Sequence, residues 1–226
     1  MQSEIQSIRE KIENSEGMKC IAKMNYHNRC IGILNGNCKD LAEKLSIGEN
    51  FAEAMSYGLM DQKNASLTAE YLEEIIRYLH NFLASASMLI DITRNLIKTY
   101  SNTKIYKKYQ EKINLDFIND ELSNFIGRFR NYILHCGVPS AGMRIDVSAN
   151  TTVFLSRDEM LKWSGWNAKS KKYLNSCPEE IRITEFARLY TKKVDNLNQW
   201  INREIKEYHA KDLAELYKLQ EQLREN

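Results

Sequence analysis

Proline occurs only twice and glycine nine times in 226 residues. Folds made of many short strands turn at such residues, so their scarcity excludes most all-β architectures and predicts long helices. Long apolar runs are missing too. The longest, near FLASASMLI, falls short of the roughly 20 residues a membrane helix needs, so no membrane partner is expected. The opening stretch MQSEIQSIREKIENSE is charged from its fourth residue and lacks the form of a secretory leader. Cysteine forms no C-x-x-C pair. Cys20, Cys30, Cys38, Cys136 and Cys177 are an odd set, which predicts a reduced, cytoplasmic chain. No excess of one charge stands out, since the net is +2, which argues against a histone-like binder while leaving room for a local basic patch. Walker loops, G-x-G-x-x-G, H-E-x-x-H and G-x-S-x-G are absent, so the sequence calls for no nucleotide cofactor and no metal.

What is present is 43% hydrophobic and 27% charged residues, enough for a folded core. The pattern predicts an all-α fold over 1–226, a single helical domain with a helical extension over about 1–48. A charged helix spans 2–14. A second spans 17–46 and is interrupted by NGN at 35–37, a turn signal. A short helix follows within 49–63. The clearest element starts near Ser66 or Thr68, either of which can cap it. It carries Leu72, Ile75, Ile76, Leu79, Leu83, Ala86, Leu89 and Ile90 at helical spacing and ends near Tyr100. After a short basic helix, KIYKKYQEK, comes one from about Asp116 to Cys136, stopped by Gly137 and Pro139. MRIDVSANTTVFLS, within 142–155, alternates as a small β-hairpin insertion. Ser156 caps RDEMLKW, GWNAKSKKYLNSCPEE reads as a polar loop, and a long C-terminal helix runs over about 184–224.

The helix ending RFRNYILHCGVP carries polar residues in unusual density. With Phe129 as zero and about 100° per residue, Ile118, Leu122, Phe125, Ile126, Tyr132, Ile133 and Cys136 fall on one core-facing stripe. Arg128, Asn131 and His135 line a ridge on the far side. Arg130 and His135 lie about 140° apart around the axis and flank Leu134. An outward leucine framed by Arg130, Asn131 and His135 predicts packing against a second copy across a two-fold axis. Imidazole suits proton transfer, and guanidinium presents a planar fork that suits phosphate. The plainer alternative is a helix-end histidine capping its own carbonyls beside a solvated arginine.

The string Arg130-Asn131-Tyr132-Ile133-Leu134-His135, R-N-x-x-x-H at the end of a helix in an all-helical chain, resembles the signature of HEPN domains (higher eukaryotes and prokaryotes nucleotide-binding). That resemblance covers six residues closely and the rest by architecture. It implies a helical bundle that dimerises with the motif at the dimer groove, and metal-independent endoribonuclease activity through attack of a ribose 2′-hydroxyl on the adjacent phosphate. His135 is then the acid or base, Arg130 stabilises charge on the phosphate, and Asn131 orients the imidazole or binds the phosphate. It also implies an RNA substrate, a toxin–antitoxin or anti-phage setting and an antitoxin or defence-system partner. One toxin subgroup carries a modifiable Tyr two residues after the His; here that residue is Gly137, which puts regulation by that route in doubt. Some members of the family are non-catalytic RNA-binding or scaffold modules.

Elsewhere, KIYKKYQEK and WSGWNAKSKKY interleave cations with rings, a composition that holds single-stranded RNA or covers an ordinary solvated face. If RNA is cut, Arg128, Lys107, Lys108, Tyr109, Lys171 and Lys172 are the residues expected to contact it. Cys20, His27, Cys30 and Cys38 lack zinc-finger spacing, and the cysteines read as buried free thiols on a helix. His80 and His209 read as structural or solvent-facing. Leu213, Leu216 and Leu223 form either a short seam for a partner helix or an amphipathic end packing on its own domain.

Overall fold

The computed structural model describes residues 2–225 except Met60, Gln62 and Asn64. The helices in chain order are α1 (Gln2–Asn14), α2 (Glu16–Glu49), α3 (Phe51–Ser56), α4 (Ala65–Lys98), α5 (Lys104–Ile113), α6 (Glu121–Cys136), α7 (Arg157–Leu161), α8 (Ala168–Ser176), α9 (Ile183–Tyr208) and α10 (Ala210–Glu225). A π-helical turn, Asn114–Ile118, joins α5 to α6. Strands β1 (Ala141–Ile145), β2 (Thr151–Ser156) and β3 (Glu180–Arg182) form an antiparallel sheet in the order β1-β2-β3. The fold is mostly helical, as expected, and the hairpin lies where the alternation put it, with Val153 and Leu155 turned into the core. β3 was not legible as a strand: three residues, EIR, pair with the outer edge of β2.

The helix expected to break at NGN does not break. α2 runs 34 residues through Asn35, Gly36 and Asn37. Its buried positions Cys20, Met24, His27, Cys30, Leu34, Leu41 and Leu45 keep helical spacing on both sides of the triplet. Each fully buried leucine is worth about 1.5–3 kcal/mol, which outweighs the roughly 1 kcal/mol that a helical glycine costs. The asparagines bond sideways instead of turning the chain: Asn35 Nδ2 donates to Asp195 at 3.1 Å and Asn37 Nδ2 to the Asn81 carbonyl at 3.4 Å.

α2 packs along α4, with α9 and α6 against the pair. Leu34, Leu41 and Leu45 meet Ile75, Leu79 and Phe82 of α4, Phe125 and Phe129 of α6, and Phe186 and Tyr190 of α9 in the larger core. The stretch expected as an N-terminal extension over 1–48 therefore supplies part of that core. A second cluster joins Cys20 and Met24 to Ile97, Tyr100, Ile105, Tyr109, Ile201 and Ile205.

Three further boundaries differ from expectation. Ser66 and Thr68 lie inside α4 rather than capping it, and Thr68 Oγ1 instead donates to the Leu59 carbonyl. The polar loop after Trp163 contains α8, capped by Asn167, whose Oδ1 accepts from Ser170 N–H at 2.8 Å. The single helix over about 184–224 is two helices meeting at His209. The His209 ring is held by Asp212 at 2.7 Å and by the Tyr100 hydroxyl at 3.2 Å. Leu213 and Leu216 of α10 are buried and α10 packs on α1 and α2, so its apolar stripe serves its own fold.

Candidate functional site on helix α6

Helix α6 begins later than its periodicity suggested. Asp120 caps it, accepting from the backbone N–H and hydroxyl of Ser123 at 2.8 and 2.6 Å. Ile118 thus falls in the π turn and is exposed rather than core. Cys136, also expected inward, is exposed at the last turn. Of the rest of the stripe, Leu122 and Ile133 are half-buried against the larger core, and Phe125, Ile126, Phe129 and Tyr132 are buried as expected. They join a column of rings in which Phe125 stacks on Tyr173 and Tyr132 on Trp166, the latter at 5.4 Å and 15°. Burial, with Cys136 and Glu159 nearby, pushes the Tyr132 hydroxyl up from its usual range. Gly137 stops the helix with φ of 96°, a conformation side-chain-bearing residues rarely adopt.

That anchored face fixes which way the motif points. Arg128, Arg130, Leu134 and His135 are exposed and Asn131 is half-buried. Leu134 is 58% and Val138 63% exposed, a pair of apolar side chains among the polar ones. Among the described residues no side-chain hydrogen bond or ion pair engages Arg128, Arg130, Asn131 or His135. This contrasts with nearby cations that are committed elsewhere, such as Lys193 to Asp120 at 2.6 Å and Lys172 to Glu121 at 2.7 Å. His135 therefore does not cap its own helix through its side chain, the plainer alternative.

The structure brings only part of the expected set together. Arg128 and Asn131 line a cavity of about 340 Å³ bounded by α4, α5, α6 and α9, whereas Arg130 and His135 do not. On the other side of α6, Ile133, Val138 and Pro139 wall a groove of about 750 Å³ whose far wall is Arg77 and His80 of α4. Of the residues expected to contact RNA, Tyr109 is buried in the second core cluster and cannot stack on an exposed base. Lys108 is paired with Glu204 at 2.6 Å and Lys172 with Glu121, while Lys107 and Lys171 are exposed. The tryptophans near Lys171 are structural as well: Trp166 Nε1–H donates to the Met160 carbonyl at 2.6 Å. The rings of these two segments thus pack wholly or partly against the core, and Lys107 and Lys171 are left in solvent.

Among the described residues no three His, Cys, Asp or Glu side chains are grouped to hold a metal ion. Cys20 and Cys30 sit in different core clusters, and His27 Nε2 pairs with Thr93 Oγ1 at 2.9 Å. No helix among the described residues is long and apolar enough to cross a membrane. Sequence reasoning missed Arg94, Tyr190 and Asn198 around the cavity. Asn198 had a signal: it interrupts the apolar stripe Phe186, Tyr190, Val194, Leu197 and Ile201 of α9. Set against known proteins, the chain matches no family model, no curated protein and no solved structure.

Proposed function

We propose that the chain cuts RNA as a pair of copies, with Arg130, Asn131 and His135 at a groove between them. One observation carries the reading. Two cation-capable side chains, Arg130 and His135, stand exposed beside exposed Leu134 at one anchored helix end, unpartnered among the described residues, and the half-buried Asn131 amide on the same helix is unpartnered too. A guanidinium left without a carboxylate is available for a phosphate, and an imidazole with no bond to its ring nitrogens is available to move a proton. In the proposed reaction the ribose 2′-hydroxyl loses its proton, its oxygen bonds to the adjacent phosphorus, and the P–O5′ bond breaks. The 5′-oxygen takes a proton, leaving a 2′,3′-cyclic phosphate and a 5′-hydroxyl. His135 moves the proton at one of these oxygens, and Arg130 opposes the charge that builds on the phosphoryl oxygens. The R-N-x-x-x-H resemblance places such chemistry in toxin–antitoxin or anti-phage settings, with an antitoxin or defence protein as partner.

A second reading is favoured by the angle. Arg130 and His135 diverge by about 140° on one helix, so a single copy offers no converged site, which suits a non-catalytic RNA- or protein-binding module. Labelled RNA incubated with the protein in EDTA separates the two. The cleavage reading expects cutting in chelator, lost by about 100-fold or more in His135→Ala and in Arg130→Ala. RNA bound but uncut by the parent protein, or cutting unchanged by His135→Ala, overturns it.

A further inference from the structure

The cavity beside α6 has features of a binding site that RNA cleavage does not require. Its interior is apolar, with Leu89 of α4, Ile113 of α5, Phe117 of the π turn and Leu197 of α9. Two polar side chains stand deep in it. Asn198 is 4% and Tyr190 2% exposed, and neither side chain makes a hydrogen bond among the described residues; the Asn198 Nδ2 is buried without an acceptor. Buried polar groups are nearly always satisfied, and an unsatisfied one calls for a bound molecule or a cost. At the mouth stand two arginines. Among the described residues Arg128 is exposed with no carboxylate partner and Arg94 is held only by Asp91 at 3.5 Å, the Arg94 and Asp91 side chains both being largely in solvent.

The rim holds a further clue. Gly127 lies in the middle of α6 and lines this cavity, yet a Cβ added there would meet nothing within 4 Å. Glycine weakens a helix interior relative to any residue with an unbranched side chain. Neither close packing nor a positive φ demands it here, since the position is helical. A side chain at 127 would instead project at the cavity mouth.

We propose that this cavity binds a small amphipathic anion. Its apolar body lies against Leu89, Ile113, Phe117 and Leu197, a hydrogen-bonding group at its inner end meets Asn198 and Tyr190, and its carboxylate or phosphate sits between Arg128 and Arg94. The assignment is independent of RNA cleavage and stands if the chain cuts no RNA.

The test uses the full chain and 8-anilinonaphthalene-1-sulfonate, an apolar aromatic anion whose emission rises on leaving water, displaced by octanoate, 8-hydroxyoctanoate and octyl phosphate. Saturable displacement is expected, with the hydroxylated acid preferred over octanoate in the parent and the preference lost in Asn198→Leu. The octanoate and octyl phosphate arms tell which anionic group the arginines accept. Gly127→Phe, which gains helix propensity and so folds, is expected to weaken all four by tenfold or more. Arg128→Gln is expected to weaken octanoate by about tenfold but its methyl ester little. Gly127→Phe binding every probe like the parent, or no saturable binding by the folded parent, overturns the proposal.

Discussion

The carboxylate of Asp120 lies 2.6 Å from the ammonium of Lys193, so the residue that caps α6 also ties it to α9. Burial acts to raise the Asp120 carboxyl, but the bonds from Lys193 and from the hydroxyl and N–H of Ser123 outweigh it and hold the group below its usual range. Loss of a helix cap costs about 0.5–2 kcal/mol, and loss of the tie to α9 adds to it. Asp120→Ala should therefore lower unfolding free energy at pH 7 by about 1–2 kcal/mol. A carboxyl depressed in the folded state contributes its stability above the unfolded value and loses it as pH falls through the folded one. The gap between parent and variant in urea unfolding should narrow below about pH 4.

His27 sets a second pH dependence. Its ring is fully buried in α2 with Nδ1 unpartnered among the described residues, and burial pushes its pKa down to about 4. The folded state therefore refuses a proton that the unfolded chain accepts near pH 6.5. Here the direction is opposite to that of a histidine gaining an anionic partner: stability is full above pH 6.5 and falls as pH drops toward 4, by up to about 3 kcal/mol. Melting temperature measured from pH 8 to pH 5 should decline, and His27→Gln should flatten the decline. An equal slope in parent and variant would assign it to other groups.

The divergence of Arg130 and His135 predicts how inactive variants complement one another. If each cleavage centre takes its arginine from one copy and its imidazole from the other, mixing Arg130→Ala with His135→Ala by refolding restores one intact centre in each mixed pair. Activity should then recover to about a quarter of the parent's by random assortment in a two-fold pair. Centres contained within one copy recover nothing. If the chain cuts RNA as such a pair, Leu134→Glu should abolish both the pairing, read by light scattering, and the cleavage.

Close approach at the foot of α2 is equally testable. A Cβ on Gly17 would lie 2.5 Å from the Asp212 carbonyl and 2.9 Å from the Leu216 Cβ. Gly17→Ala should push α10 away at a cost of about 1–3 kcal/mol, offset only in part by better helix propensity. Faster amide exchange confined to residues 210–225 would report it.

Much of α6 was legible in the sequence because its signals are local. Phe125, Ile126, Phe129 and Tyr132 repeat at helical spacing, Gly137 stops the chain, and the outward direction of Arg130 and His135 follows from the two. NGN misled because turn propensity is weak beside a stripe of buried leucines that continues through it; the spacing from Leu34 to Leu41 carried the answer. Tyr109 and Trp166 read as parts of a cation–ring surface because composition does not say which side of a short helix such as α5, or of the turn before α8, meets the core. The cavity was illegible for a different reason. Its walls come from three successive helices, α4, α5 and α6, and from α9 much later in the chain, and only their packing brings Leu89, Asn131 and Asn198 to one space.

The stacked rings behind α6 make the protein its own optical gauge. Trp166 lies flat on Tyr132, with Trp163 edge-on to both, directly behind the turn that carries Asn131 and His135. Trp200, the other indole, stands apart on α9 beneath Lys112. Any shift of the helix end therefore reaches Trp163 and Trp166 first, and replacing Trp200 by Phe leaves a label-free emission signal from that corner alone.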